Sequence, residues 1–404
     1  MKIAMIGPFA FAPKATVSAR AFPMAQALVQ RDHRVSLLLP PYDNLEHAGR
    51  EETRDGVHVQ NLDLRRVRPW TPLTAAWRLA VETRRLSPDV VHVFKPVGYA
   101  ALAGMIVRRT TRLPIVVDTD DWEGTGGWNS VNPYPWHWKR FFDFQERWLP
   151  RHAAAVTVAS RTLQSQIWGL GVPPERVFYV PNCPRASLLS APGQVTAADQ
   201  VAAADRARVR EQLGIGSAPM LVFVGNISLG DDLDLALRAL PKVLERLPGV
   251  KLVIVGTGDG LPRLRALADD LALNDAVRFT GWIDHRHVPA HLAAADIAIY
   301  PYRDTLINRA KCSIKVLEYM TMGKAIVTTR VGQNLEYLEH GQSGILAAPG
   351  DVHAFAGALL HLLENPDLAR RLGENAARRI REQFTWSHHV DTVLQAYHLA
   401  VGSS

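Results

Sequence analysis

The chain has 404 residues, of which 47% are hydrophobic and 21% charged, and its formal charge is +7. That length exceeds one ordinary core and suits two or three domains, the composition is that of a globular protein, and no apolar run approaches the roughly 20 residues that cross a bilayer. Cys183 and Cys312 are its only cysteines, too few and too far apart for a disulfide framework, and the amino terminus has no signal-peptide pattern, so the expected compartment is the reducing cytoplasm.

The charge is unevenly spread. Residues 1–180 hold 23 Lys and Arg against 16 Asp and Glu, whereas residues 181–404 hold 23 of each. The whole positive excess therefore lies in the first half. It reads either as a solvated surface or as a face for an anionic partner, such as a phosphate-bearing acceptor or an anionic membrane surface. Nucleic acid is disfavoured, because the second half is neutral and no recognition module is visible.

In chain order, short apolar strands are predicted at 2–6, 35–39, 57–61, 90–94, 115–118, 156–159 and 177–180. Helical patterns lie between them, for example at 19–31, 74–86 and from Leu163. Such alternation implies βαβ units and a parallel sheet. Residues 186–213 are rich in Ala, Ser and Gly, hold no strand and end in a charged helix; they read as a linker. The alternation then restarts. Strands are predicted at 220–224, 251–255, 277–280, 297–300, 325–329 and 344–347, with helices at 233–247, 261–271, 288–294, 314–321, 334–338 and 352–365. Two last helices follow at 366–383 and 387–401. The predicted fold class is α/β, with two Rossmann-like doubly wound domains. Residues 1–185 with a final helix at 387–404 form one, and residues 214–386 the other.

Ligands of open parallel sheets bind beyond the carboxyl ends of strands. The turn Gly256-Thr257-Gly258 follows one strand and lets backbone N–H groups approach a bound group, unless it is an ordinary tight turn. At Cys312-Ser313-Ile314-Lys315 a helix begins amid Arg309, Lys311 and Lys315. Cations there oppose the helix dipole, a cost that a bound diphosphate offsets. Glu318 lies three residues after Lys315 on the same helix face, placed either to accept hydrogen bonds from ribose hydroxyls or to pair with Lys315. Asp118-Thr119-Asp120-Asp121-Trp122-Glu123 closes another strand with four acids in six residues. Metal binding there is disfavoured because the spacing matches no ligand loop. Trp128, Trp136 and Trp138 suit sugar rings or acyl chains, or else a partly buried core. The run 65–70, continued by Leu73, Trp77, Arg78, Arg84 and Arg85, mixes basic and aromatic residues as a membrane-surface helix does.

The second half resembles the retaining glycosyltransferases of family 4, also called group 1, which have the GT-B fold of two Rossmann-like domains facing a central cleft. The resemblance is carried by 176–182, 252–258, 277–283, the run Lys315-Val316-Leu317-Glu318-Tyr319-Met320-Thr321-Met322-Gly323-Lys324, and then 332–336 and 341–346; at the amino terminus it is looser. It implies transfer of a sugar from a nucleotide-diphosphate-sugar substrate to a glycan or lipid-linked acceptor, with no metal and no other cofactor. Glu318 would bind the donor ribose, Trp282 and Ile283 would line the base pocket, and Gly256 and Gly258 would lie near the nucleotide. The backbone at Ser313 and Ile314 would hold the diphosphate. The last helix would return to the first domain.

This chain departs from the family pattern after the first strand of the second domain. Asn226 and Asp231 stand where members carry Arg and Lys against the diphosphate. Ala310 replaces a common Glu, as in a subgroup with a Lys-x-x-Glu-Tyr-Met pattern, and Asp120 aligns with a frequent histidine. The missing charge is expected from Lys315, Arg309 or Lys14. Asp120 or Asp121 is expected to orient or deprotonate the acceptor, and Lys14, Thr16 and Trp122 to lie on the acceptor side. Two alternatives stay open: a non-catalytic protein of the same fold that binds sugar or nucleotide, and a nucleotide-sugar epimerase.

Overall fold

The computed structural model describes residues 1–11, 16–42, 44–64, 71–185, 189, 201, 203–228 and 232–402. Lys14, the basic run 65–70, Asp231 and most of the linker lie outside the described residues. The chain divides into two units. The first comprises Met1–Cys183, Ala310–Cys312 and Trp386–Ser404, and the second Pro184–Arg309 and Ser313–Thr385.

The first unit is built on eight strands: β1 (Lys2–Ile6), β2 (Arg34–Leu39), β3 (Glu51–Arg54), β4 (Val57–Asn61), β5 (Val90–Phe94), β6 (Ile115–Thr119), β7 (Ala155–Val158) and β8 (Val177–Tyr179). They lie in the order β3-β4-β2-β1-β5-β6-β7-β8. All pair in parallel except β3, which runs antiparallel to β4 at the edge. The central strands β5, β6 and β7 are buried throughout, as expected of a sheet covered on both faces.

One face receives the helices Phe22–Val29 and Trp386–Gly402. The last helix presents Trp386, Val390, Val393, Ala396, Tyr397 and Ala400 to that core, a three-and-four spacing that gives one apolar stripe. The other face packs helices Thr71–Arg85 and Gly98–Thr110 through residues such as Leu79, Ala100, Ala103 and Val107.

Two features of this unit depart from the sequence reading. Edge strand β3 has four exposed residues and so carries no apolar alternation. Its only signal is the Asp55-Gly56 turn, both residues at positive φ (49° and 80°), a pairing suited to a two-residue hairpin. The helix expected over 19–31 instead opens with a π-turn, Val17–Ala21, and becomes α-helical at Phe22. Pro23 lacks the N–H that a regular helix would use there, and the wider turn absorbs the loss.

The second unit has six parallel strands: β9 (Met220–Val224), β10 (Lys251–Val255), β11 (Val277–Gly281), β12 (Ile297–Tyr300), β13 (Ala325–Thr329) and β14 (Ile345–Ala347). Their order, β11-β10-β9-β12-β13-β14, is the doubly wound one. It places the switch point between β9 and β12, where ligands of such sheets bind. Helix Ala203–Gln212, read from the sequence as the end of the linker, is held within this unit by Arg210, whose guanidinium donates to the carbonyl of Ala294.

Candidate active site

In the second unit, the loops after β9 and β10 lie flat against each other. Gly225 N–H donates to the Val255 carbonyl, Ile227 N–H to Thr257, and Gly260 N–H to Ile227. Gly256 and Gly258 make this approach possible. Their φ values are 142° and 156°, and a Cβ on either would sit 1.8 Å from the Gly225 oxygen or 2.2 Å from the Ile227 oxygen. These glycines are thus required by loop packing. Asn226 is exposed on the same surface. Beyond β11, Gly281 turns at φ 73°, which leaves Trp282 72% exposed and Ile283 half-buried.

Helix Ile314–Thr321 starts after Ser313, a buried residue whose side chain makes no capping hydrogen bond. Ile314 and Lys315 are half-buried. The helix is pinned by Tyr319, whose hydroxyl accepts from the Val224 N–H at 2.7 Å and donates to the Val224 carbonyl at 3.1 Å. That bond ties the helix to the carboxyl end of β9. Glu318 is buried (7% exposed), and Lys315 Nζ donates to its Oε2 at 2.9 Å. Glu318 also lines a small recess of about 30 Å³ with His285, Val288, Pro289, Leu292, Thr321 and Met322. Glu318 therefore makes the ion pair with Lys315 that one reading gave, and it also borders a recess with about the volume of a single water molecule.

Arg309 is exposed and engages Asp304, with Nη2 to Oδ2 at 2.7 Å. Its neighbour Lys311, which belongs to the first unit, has its Nζ 5.2 Å from the Trp128 ring centre. A cation not anticipated from the sequence is Arg303, just after β12. It reaches across the switch point to Asp232 (3.2 Å) and Asp234 (2.6 Å). Burial pushes the Asp232 carboxyl above its usual range, against the pull of Arg303.

In the first unit the switch point lies between β1 and β5. Lys95 follows β5 in a left-handed conformation, φ 65°, uncommon for lysine. Its Nζ lies 3.3 Å from Asp120, 3.1 Å from Asp121 and 2.6 Å from Glu123. The Asp120 contact is within ion-pair range but lacks hydrogen-bond geometry. Three carboxylates beside one buried ammonium hold that ammonium protonated, well above its usual range despite burial. Asp121 is shifted upward, by burial first and then by Asp120 and Glu123, with Lys95 opposing. Behind them Glu146 is fully buried and accepts from the Glu123 N–H at 2.9 Å. Burial and the Glu123 charge push its carboxyl well above the usual range.

Lys95 was missed because a lone lysine after a strand gives no pattern; only the fold brings it to the acids. Trp122 is 3% exposed and its indole N–H donates to the Thr125 carbonyl at 2.9 Å, so it shapes the acid turn from inside. Thr16 begins the π-turn. Among the described residues, no group of three or more His, Cys, Asp or Glu side chains is arranged to hold a metal ion.

The acid turn is braced from below. Arg20, on the π-turn, makes a bidentate pair with Asp118 at 2.7 Å for both bonds and donates to Asn182 Oδ1 at 3.0 Å. Thr157 Oγ1 donates to Asp118 at 2.6 Å. It therefore accepts from His92 Nε2 (3.1 Å), which leaves His92 Nδ1 to accept from the Tyr397 hydroxyl (2.8 Å) of the last helix. Cys183 and Cys312 are both buried and neither is in a disulfide.

Comparison with known proteins identifies the family and the fold. A model described as a glycosyl transferase 4-like domain matches residues 16–183, and one described as glycosyl transferases group 1 matches residues 218–365. The chain is 27% identical over 361 residues, 88% of each protein, to a GDP-mannose-dependent α-(1-6)-phosphatidylinositol monomannoside mannosyltransferase of Mycolicibacterium smegmatis. It is 27% identical over 69% of each protein to an α-D-kanosaminyltransferase of Streptomyces kanamyceticus. Among solved structures, the Anabaena protein HepE in complex with UDP matches with a TM-score of 0.72 at 18% identity, covering 98% of this chain and 99% of that one. Sucrose-phosphate synthase of Thermosynechococcus elongatus matches with a TM-score of 0.75 at 19% identity over 100% of both chains.

Proposed function

Because the chain belongs to the group 1 glycosyltransferases, enzymes of the GT-B fold that use nucleotide-sugar donors, we propose that it transfers a hexose with retention of configuration, without a metal ion, to a lipid-linked or cell-envelope acceptor. The observation that carries the donor side is Glu318. A carboxylate buried beside a recess, midway along a helix tied to the carboxyl end of β9, supports the reading that it accepts hydrogen bonds from the two ribose hydroxyls. Lys315, half-buried and within 2.9 Å of Glu318, is the cation placed to take the developing charge of the departing diphosphate, with the free N–H groups of the helix start.

On the acceptor side, Asp120 and Asp121 would orient the attacking hydroxyl. The bond between the anomeric carbon and the diphosphate oxygen breaks as the acceptor oxygen bonds that carbon from the same face. The hydroxyl proton passes to one of these carboxylates. Lys95 keeps the cluster from accumulating uncompensated negative charge. A lipid acceptor is favoured by the basic excess of residues 1–180 and by the relative that acts on a phosphatidylinositol monomannoside. Peripheral contact of the first unit with an anionic membrane belongs to the same reading.

A thermal-shift screen of UDP-, GDP- and ADP-hexoses tests the donor. A ligand at a hundred times its Kd should add about 2.7 kcal/mol of stability. Product anomers read by NMR, and activity assayed with and without EDTA, test the remainder. An inverted product or loss of turnover in EDTA would refute retention or metal independence respectively.

A further inference from the structure

The first unit contains a cavity of about 650 Å³ that the transfer chemistry does not use. That size lies within the range of small-molecule sites, roughly 300–1,000 Å³. Its walls come from three places: Leu73 at the start of helix Thr71–Arg85, Leu102 on helix Gly98–Thr110, and Tyr134, Trp138, Phe141 and Phe142 around the start of helix Trp136–His152. The aromatic wall is internally packed. Ring centres lie 5.3 Å apart for Tyr134 and Phe142, 5.7 Å for Trp138 and Phe142, and 6.0 Å for Trp138 and Phe141.

Folding alone does not account for this surface. Leu73 is 59% exposed, Tyr134 44% and the neighbouring Trp136 73%. Large apolar side chains left together in water mark a binding face. The cavity also lies near the acid turn. Gly98, in its wall, begins the helix three residues after Lys95 and donates its N–H to Gln145 Oε1 at 2.9 Å. Tyr134 is close enough to Glu123 and Lys95 for its phenol to feel both charges. The apolar cavity therefore lies in the neighbourhood of the groups proposed to handle the acceptor hydroxyl.

We infer that this cavity takes the hydrocarbon chain of an anionic amphiphile whose sugar end lies at Asp120 and Asp121. The inference rests on the reading of the first unit as the acceptor side. A concave site beside reacting groups suits a flexible chain joined to the reacting molecule better than it suits a flat protein partner. The basic excess of this half matches an anionic head group.

The test is calorimetry of the full chain with butyl, hexyl, octyl and decyl phosphate below their micelle concentrations. Affinity should rise about fourfold for each methylene that enters the cavity. Leu102→Trp fills the cavity and should flatten the series. Trp138→Ser, at a partly exposed position, removes part of the wall and should reduce the slope. UDP or GDP titrated into the same samples reports an intact fold and tests the donor reading separately. A flat series in the wild-type chain, or a slope unchanged in both variants, overturns the inference. Binding to anionic vesicles combined with a flat series would assign the face to a membrane surface, and overturns it too. A steep series with no nucleotide binding would leave the cavity assigned and sink the donor reading instead.

Discussion

Arg20 and Asp118 meet in a two-bond pair, 2.7 Å at each contact, with side chains 1% and 0% exposed. The pair joins the π-turn after β1 to the end of β6, two residues before Asp120. Removing one partner of such a pair leaves a buried charge alone, at about 3–5 kcal/mol. Arg20→Met should therefore lower unfolding free energy by that order in denaturant titration. A loss below about 1 kcal/mol would mean the brace is not needed.

The His92 network makes a pH prediction. Burial, with Arg20 nearby, lowers the imidazole from 6.5 to about 3. The unfolded chain binds this proton and the folded chain does not. The stabilisation is thus complete above about pH 6.5 and is lost as pH falls toward 3, at up to about 1.36 kcal/mol per unit. Stability measured between pH 7 and 4.5 should fall less steeply in His92→Gln than in the wild type; parallel curves would contradict it.

Glu146 has the opposite sign. Its folded pKa is raised above the usual 4.5, so its contribution is present in full below that value and is lost as pH rises through the raised one. Glu146→Gln imitates the protonated acid and keeps an oxygen for the Glu123 N–H. It should be neutral or stabilising at pH 8, and a clear destabilisation there would show that the carboxylate form is needed.

The glycines after β10 are placed by loop packing, so a methyl group is not tolerated. Gly256→Ala should cost at least about 1–3 kcal/mol, from left-handed backbone and the clash with the Gly225 carbonyl. It should weaken nucleotide binding as the two loops separate. A Tm within a degree of wild type would refute this.

Charge at the leaving group separates Lys315 from Arg309. Lys315→Ala should lower kcat by about a hundredfold, the scale of losing one transition-state donor. Arg309→Ala should change it little, because Arg309 is exposed and engaged by Asp304. Equal losses in both variants would place the diphosphate elsewhere.

Much of this fold was legible. Strands 2–6, 57–61, 90–94, 220–224, 251–255, 297–300 and 325–329 appear at their expected bounds, because buried parallel strands are short apolar runs between turn residues. Strand β3 was not legible, since an exposed edge strand has no apolar face. Glu318 was readable through its helix spacing and its family resemblance. Lys95 and Arg303 were not, because each acquires its carboxylate partners only when distant turns are brought to one sheet edge. The cavity was legible only at Trp138; Tyr134, Phe141, Phe142, Leu73 and Leu102 join it only in three dimensions.

The central claim is that Glu318 grips the ribose of the donor, and calorimetry of UDP, GDP and their 2′,3′-dideoxy analogues tests it most directly. Hydrogen bonds to a charged acceptor contribute about 1.5–3 kcal/mol, which is roughly 10- to 150-fold in affinity. The wild-type chain should prefer the ribose form of its nucleotide by that factor, and Glu318→Gln should bind it more weakly and lose most of the preference. Undiminished binding and undiminished preference in Glu318→Gln would contradict the account.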